Sequence, residues 1–156
     1  MKAELPELEL VRRDLERDLV GRKVKEASAA SMSTLPRYKN RKSFSNQLEG
    51  TKIAAVHRLG EFILFPLDSE DILVIRTGQG MLRRTTNKAK EEKGTEVTIT
   101  FTQGGQLRFI DQDGTGEVAV VPKDDVMTEF PDLNDPAIDA IDTPLSWLSF
   151  LSLIHI

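Results

Sequence analysis

The residues best suited to chemistry in this sequence are basic. Arg37-Tyr38-Lys39-Asn40-Arg41-Lys42 and Arg83-Arg84 form two short cationic runs, of the kind that contacts phosphate or simply solvates a surface. Net charge is −4, but it is unevenly placed. Residues 1–123 hold all 21 Lys and Arg against 18 acids, a balance of +3, and residues 124–156 hold seven acids and no base. The acidity therefore sits in the tail, and a nucleic-acid partner for the larger part is not excluded. There is no cysteine, which removes disulfides and thiolate metal sites from this chain. Two histidines, His57 and His155, do not make a metal site, and His57 reads as a surface or half-buried strand residue. Glu4 stands where a carboxylate would meet a helix N-terminus and its macrodipole.

The elements that must position these groups can be read from periodicity. Pro6 opens a helical pattern, Leu8, Val11, Leu15 and Leu19 recur at spacings of three and four, and Gly21 stops it. Arg12, Arg13, Glu16 and Arg17 are then expected on the wet face. A strand over 23–27 follows, then a loop or edge over 28–36, and Phe44 and Leu48 before Gly50 suggest a short second helix. Beyond it the signal is β: 52–57, 62–67, 72–75, 96–101, 106–110 and 118–121, punctuated by Gly60, Asp68-Ser69, Gly104-Gly105 and Asp113-Gly114. Gly104-Gly105 between two such runs is a hairpin signal. Segment 85–94 reads as a polar loop. Many short strands at close spacing predict a sandwich or barrel.

Residues 1–122 are expected to form the domain, and 123–142 an acidic, proline-containing linker with little fixed structure. Thr143-Pro144 opens a new helix over 143–150, in which Trp147 reads as core. Residues 151–156 resemble a sequencing-adapter translation and are expected to be non-native, so that the chain reads as truncated. No apolar stretch is long enough for a membrane helix, the N-terminus lacks a secretory core, and the cytoplasm is the expected compartment.

Several motifs occur together and in order. Ala3-Glu4-Leu5-Pro6-Glu7-Leu8-Glu9 is similar to an opening Pro-Glu-Leu-Pro-Glu-Val-Glu, and Val20-Gly21-Arg22 to a Val-Gly-Arg that ends the first helix. Leu48-Glu49-Gly50, Arg58-Leu59-Gly60-Glu61-Phe62-Ile63-Leu64-Phe65, Leu107-Arg108-Phe109-Ile110-Asp111 and Pro144-Leu145-Ser146-Trp147 follow. On these residues the chain resembles the bacterial family of formamidopyrimidine-DNA glycosylase and endonuclease VIII over positions 3–150. The resemblance implies an α+β, mainly β fold: a two-layered antiparallel β-sandwich flanked by an N-terminal helix and a short second helix. It implies base-excision repair, with removal of oxidised purines and lyase action at abasic sites as the family activity. The implied partner is damaged double-stranded DNA, weakly held by this fragment, bound by a monomer associated with the nucleoid. No cofactor is expected in this chain; the family's zinc finger would lie in a missing C-terminal part.

In that family the nitrogen of an N-terminal proline attacks the sugar C1′ and forms a Schiff base, and a neighbouring glutamate handles protons. By resemblance Glu4 and Glu7 are the candidate catalytic residues, and Ala3 stands at the nucleophile position. With Met1-Lys2 ahead of it, the Ala3 nitrogen is an amide. The free amine is then displaced by roughly 7 Å, where 1 Å can cost about a hundredfold. Other replacements point the same way. Glu61 stands for a phosphate-gripping lysine, Gly78 for the methionine that fills the gap left by the flipped base, and Asp113-Gly114-Thr115 for the arginine and phenylalanine wedge. Asp111, Gly80 and Gly116 are kept and read as structural.

The leading expectation is a catalytically impaired repair protein that still binds DNA, with Arg58, Arg76, Arg83, Arg84 and Arg108 contacting phosphates. Two alternatives stand beside it. One is an active glycosylase and lyase with a substituted nucleophile, such as Lys2. The other is a protein-interaction paralogue, since one scaffold hosts unrelated functions.

Overall fold

Helix α1 (Leu5–Leu19) lays Leu8, Leu15 and Leu19 into the core, and Gly21, at φ 87°, turns the chain out of it. That backbone conformation suits glycine, and the stop falls where the sequence places it. The computed structural model describes residues 5–134. Lys2, Ala3, Glu4, residues 135–142, the helix expected over 143–150 with Trp147, and the tail over 151–156 with His155 lie outside them.

Strand β1 (Val24–Ala29) follows, then α2 (Arg41–Leu48), where the Asn40 side chain accepts from the Ser43 N–H at 2.9 Å and Phe44 and Leu48 are buried. Seven more strands complete the domain: β2 (His57–Leu59), β3 (Phe62–Pro66), β4 (Asp71–Arg76), β5 (Met81–Thr85), β6 (Thr95–Phe101), β7 (Gln106–Ile110) and β8 (Glu117–Pro122). They form two four-stranded sheets, ordered β1-β6-β7-β5 and β2-β3-β4-β8, with every neighbouring pair antiparallel. The expected α+β class and two-sheet architecture with flanking helices are therefore observed. The β6–β7 hairpin turns at Gly104 and Gly105, both at positive φ.

Three local expectations need correction, and a fourth resolves to one of its alternatives. Lys52 and Ile53 make only isolated bridges, to Lys23 and Leu67, and the strand starts at His57. Residues 28 and 29 extend β1, an edge strand of its sheet, so the loop or edge expected over 28–36 begins as edge. Met81–Thr85 is a strand that sequence reading passed over, because exposed Arg83 and half-buried Arg84 mask its single buried apolar residue, Leu82. Arg12 is buried, not wet, for reasons that lie in the site described below.

The acidic segment after β8 is also structured over its first part. A 3-10 turn (Lys123–Asp125), the one-turn helix α3 (Val126–Glu129) and a second 3-10 turn (Pro131–Asn134) carry Val126, Phe130 and Leu133, all buried. The cause is the sheet beneath. In β4 all four of Ile72, Leu73, Val74 and Ile75 are buried. Leu73 and Ile75 enter the core between the sheets, and Ile72 and Val74 point outward with Leu59, Phe62, Leu64, Ala119 and Val121. A strand apolar on both faces needs a cover on both, and residues 126–133 supply it. Phe130 packs edge-on against Phe62 at 5.9 Å. Arg37 clamps this cover: its guanidinium lies 4.2 Å above the Phe130 ring and donates to the Glu129 carboxylate at 2.8 Å.

Candidate nucleic-acid interface

The first buried polar node joins α1 to β2. Glu9 faces inward from α1, and its carboxylate accepts from Arg12 Nη2 at 2.9 Å, Arg13 Nε at 3.1 Å and Arg58 Nε at 3.0 Å. Arg58 is 0% exposed and also donates to the Gly60 carbonyl at 3.2 Å. Burial pushes the Glu9 carboxyl up, but the guanidiniums of Arg12, Arg58 and Arg13 outweigh it and hold the group below its ordinary value. This node fixes the helix that carries the N-terminal motif against the β2–β3 hairpin. It also explains the burial of Arg12, which follows Glu9 at i+3. Sequence reading missed it; the available signal was an acid and two arginines spaced three and four apart, beside the apolar stripe.

His57 is half-buried at the start of β2. Burial lowers its pKa, Arg12 adds to that, and Glu16 opposes. Glu7 is exposed in the first turn of α1. Glu61 sits in the β2–β3 turn, where its carbonyl accepts from the Thr77 N–H at 3.0 Å.

Two further turns meet at one end of the sandwich. One, 77–80, joins β4 to β5; the other, 111–116, joins β7 to β8. Asp111 is buried, and its carboxylate accepts from the Gly116 N–H at 2.8 Å and the Thr115 N–H at 3.2 Å, closing the second turn on itself. Thr115 Oγ1 accepts from the Gln79 N–H at 2.7 Å, locking the turns together. Their glycines are there because there is no room for more. A Cβ on Gly80 would lie 2.6 Å from the Ile110 carbonyl, and one on Gly116 2.5 Å from the Phe109 ring. Gly78 is at φ 53°, and a Cβ there would stand 2.7 Å from the Thr115 carbonyl oxygen.

Between the turns opens a cavity of about 220 Å³ lined by Gln79, Met81, Ile110, Gln112 and Asp113. Its polar groups are two amides and one carboxylate, with no cation among them. Met81 is one of three exposed large hydrophobic residues of the described chain.

The five arginines expected at phosphates do not converge. Arg58 is inside the protein, where no phosphate can reach it. Arg108 is 5% exposed and holds the 86–94 loop down, donating to the carbonyls of Ala89 at 2.8 Å and Lys90 at 3.0 Å and to Gln106 Oε1. Arg83 lies across from it on β5 and pairs with Glu92 of the same loop at 2.8 Å. Arg76 lies 3.8 Å from the Glu117 carboxylate. Arg84 turns toward the far end of the sandwich, where its guanidinium donates to the Gln106 carbonyl at 3.0 Å. In the first basic run, Arg37 pairs with Glu117 and Glu129, and Arg41 donates to the Ala29 and Ala30 carbonyls.

Among the described residues no group of three or more His, Asp or Glu is placed to hold a metal ion, and no helix is long and apolar enough to cross a membrane.

Residues 3–118 match the family model for the formamidopyrimidine-DNA glycosylase N-terminal domain. The formamidopyrimidine-DNA glycosylase of Enterococcus faecalis is 33% identical over 123 residues, covering 77% of this chain and 42% of the relative. That of Acidothermus cellulolyticus is 34% identical over 122 residues, covering 76% and 43%. Among solved structures, the Lactococcus lactis enzyme in complex with DNA containing FAPY-dG superposes with a TM-score of 0.72 at 29% identity, over 83% of this chain and 48% of that one. The same enzyme bound non-covalently to DNA containing an AP site gives 0.74 at 28% identity, over the same shares. The chain thus spans about half the length of the relatives it matches. Together with the two-sheet architecture, these matches establish that the chain belongs to the formamidopyrimidine-DNA glycosylase family and carries that family's N-terminal domain.

Proposed function

We propose that the protein is a DNA-repair member of this family that engages damaged duplex DNA through the end of the sandwich formed by the turns at 77–80 and 111–116, with base excision impaired. The observation that carries the reading is the composition of that end. By resemblance, Gly78 occupies the place of a gap-filling methionine, and Asp113, Gly114 and Thr115 that of an arginine and phenylalanine wedge. What stands there is a polar cavity with a carboxylate on its rim. A flipped base costs a few kcal/mol of lost stacking, and a wedge normally offsets it. Gln79, Gln112 and Asp113 of the turns supply no such surface, and the apolar lining, Met81 and Ile110, belongs to the strand ends of β5 and β7 and not to the wedge positions. Ala3 at the nucleophile position and the acid at Glu61 in place of a phosphate-gripping lysine argue in the same direction.

Family membership and the DNA complexes of its structural relatives support the choice of partner. The test is borohydride trapping on duplex containing an abasic site, run beside salt-dependent binding to the same duplex. The reading expects binding that weakens steeply as salt rises, without a covalent adduct. An efficiently trapped adduct would establish the alternative of an active lyase with a substituted nucleophile, with Lys2 the first nitrogen to replace.

A protein-interaction role is the second reading. One observation favours it: Arg58, Arg76, Arg83 and Arg108 are already engaged by groups of the protein itself. Absence of duplex binding even at low salt would select it.

A further inference from the structure

At the opposite end of the sandwich from the turns at 77–80 and 111–116, two arginines meet with unspent hydrogen-bonding capacity. The registers place them. Met81 pairs with Ile110 at the turn end of β5 and β7, and Arg84 and Thr85 pair with Leu107 and Gln106 at the other. Arg84 shares the inward face of β5 with Leu82, so its stem closes the end of the core, with the guanidinium 5.8 Å above the Phe101 ring. Arg22 arrives at the same place from the end of α1 and donates Nη1 to the Gly104 carbonyl at 3.3 Å. The hairpin glycine beneath, Gly105, is required by its φ of 84°, and a Cβ there would also lie 2.9 Å from Arg84 Nη1 and push it aside.

Among the described residues neither arginine has a carboxylate within salt-bridge distance. Arg22 spends Nε on the Asp18 carbonyl and Nη1 on Gly104; Arg84 spends only Nη1, on the Gln106 carbonyl. Among the described residues Arg22 Nη2 and Arg84 Nη2 have no protein acceptor, and Arg84 Nε is buried without one. The Asp18 carboxylate is taken by Arg17 at 3.2 Å. Burial and the neighbouring Arg22 charge both disfavour protonated Arg84, and Asp18 only partly offsets them. Two guanidiniums at an apolar rim, with donors unused, are the complement of a tetrahedral oxyanion.

We propose that Arg22 and Arg84 form a phosphate-binding site at the Gly104–Gly105 hairpin, separate from the DNA-facing turns. The ligand is a phosphate group, from a nucleic-acid backbone or from a small phosphate compound. Binding it offsets the repulsion between the two cations and gives the two Nη2 groups a shared anionic acceptor.

The test is an NMR titration of the arginine side-chain N–H resonances of the full chain with inorganic phosphate, at constant ionic strength held with chloride. The expected result is a saturable shift at Arg22 and Arg84. It should weaken by about tenfold, the value of one charge-assisted hydrogen-bond pair, in Arg22→Gln. Arg22 is only half-buried, so that variant keeps its fold, and an unchanged Tm in chloride checks it; Arg84→Gln, which disturbs the Phe101 contact, is a secondary variant. Lys23→Gln, on the exposed neighbour, should leave the shift unaltered. A second arm adds a short duplex in place of phosphate. Shifts at the same two arginines identify a nucleic-acid backbone as the source; duplex binding that leaves them unmoved identifies a small phosphate compound. No saturable response to phosphate, or an equal response in Arg22→Gln, overturns the site. The phosphate arm contains no DNA, so its failure leaves the proposed function untouched.

Discussion

Removing the Glu9 carboxylate should be among the most damaging single changes in the domain. Glu9→Ala leaves Arg58, fully excluded from solvent, without the ion pair at 3.0 Å, and takes an acceptor from Arg12 and Arg13. Breaking a buried pair from one side costs about 3–5 kcal/mol, because a charge remains in low dielectric. The lower end applies here, since Arg58 keeps the Gly60 carbonyl and Arg12 keeps Glu16 at 3.1 Å. For a chain of this size about 3 kcal/mol corresponds to a Tm lower by roughly 6–12 °C, readable by calorimetry or urea titration. The double variant Glu9→Leu with Arg58→Met removes both charges and should recover much of the loss, as buried pairs replaced by apolar groups often do.

The pH dependence gives an independent check. Glu9 titrates below its ordinary 4.5 in the folded chain. A depressed carboxyl contributes stability that is fully present above the unfolded value and lost as pH falls through the folded one. The gap between wild type and Glu9→Ala should therefore be widest near neutrality and shrink on acidification below pH 4.5. A Glu9→Ala chain within about 1 kcal/mol of wild type at neutral pH, the range of an ordinary surface change, would refute the buried-node argument.

Two further outcomes follow from the packing. Phe130→Ala removes the ring that meets Phe62 and lies beneath Arg37; it should cost about 3 kcal/mol and speed amide exchange across 126–133, and unchanged exchange there would show that this segment does not cover the outer face of the sheet. Gly78→Met should not tighten binding to abasic duplex: a side chain at φ 53° costs about 1–2 kcal/mol, and its Cβ meets the Thr115 carbonyl at 2.7 Å, so a stable variant with clearly tighter duplex binding would refute the description of the paired turns.

Helix α1, its stop at Gly21, the β6–β7 hairpin and the two-sheet architecture were legible because each rests on local chemistry: a 3.6-residue stripe, a positive-φ glycine, short apolar runs between turns. Strand β5 was not, because half-buried Arg84 takes an inward position where an apolar residue would have signalled a strand. The cover over 126–133 was hidden by its acidity. Three apolar residues spaced four and three apart suffice to bury a sheet face, and Glu129 between them stays on the exposed side, paired with Arg37. The continuous run Ile72-Leu73-Val74-Ile75 already required such a cover, since a sandwich strand with one wet face alternates. For the site, a sequence names arginines without saying what they touch. Arg58, Arg83 and Arg108 read alike as cations, yet one is sealed inside with Glu9, one is paired with the 86–94 loop, and one pins that loop from beneath.

The paired turns are coupled, which bears on the proposed reading that a wedge is absent from them. Gln79, Gly78 and Thr115 depend on one another: the Gln79 N–H is satisfied by Thr115 Oγ1, and the Thr115 carbonyl fills the space a side chain on Gly78 would need. Asp111 in turn fixes Thr115 through two backbone N–H groups. A methionine at 78 is thus incompatible with the conformation of the 111–116 turn, and an arginine or phenylalanine put back into that turn would meet a partner loop shaped for Thr115. The geometry is that of a self-consistent surface in which Gln79, Gln112 and Asp113 lie beside Met81 and Ile110. On that reading, placing an apolar wedge here would take simultaneous change in both turns, so positions 78 and 113–115 act as one coupled site and single substitutions there test packing before they test DNA recognition.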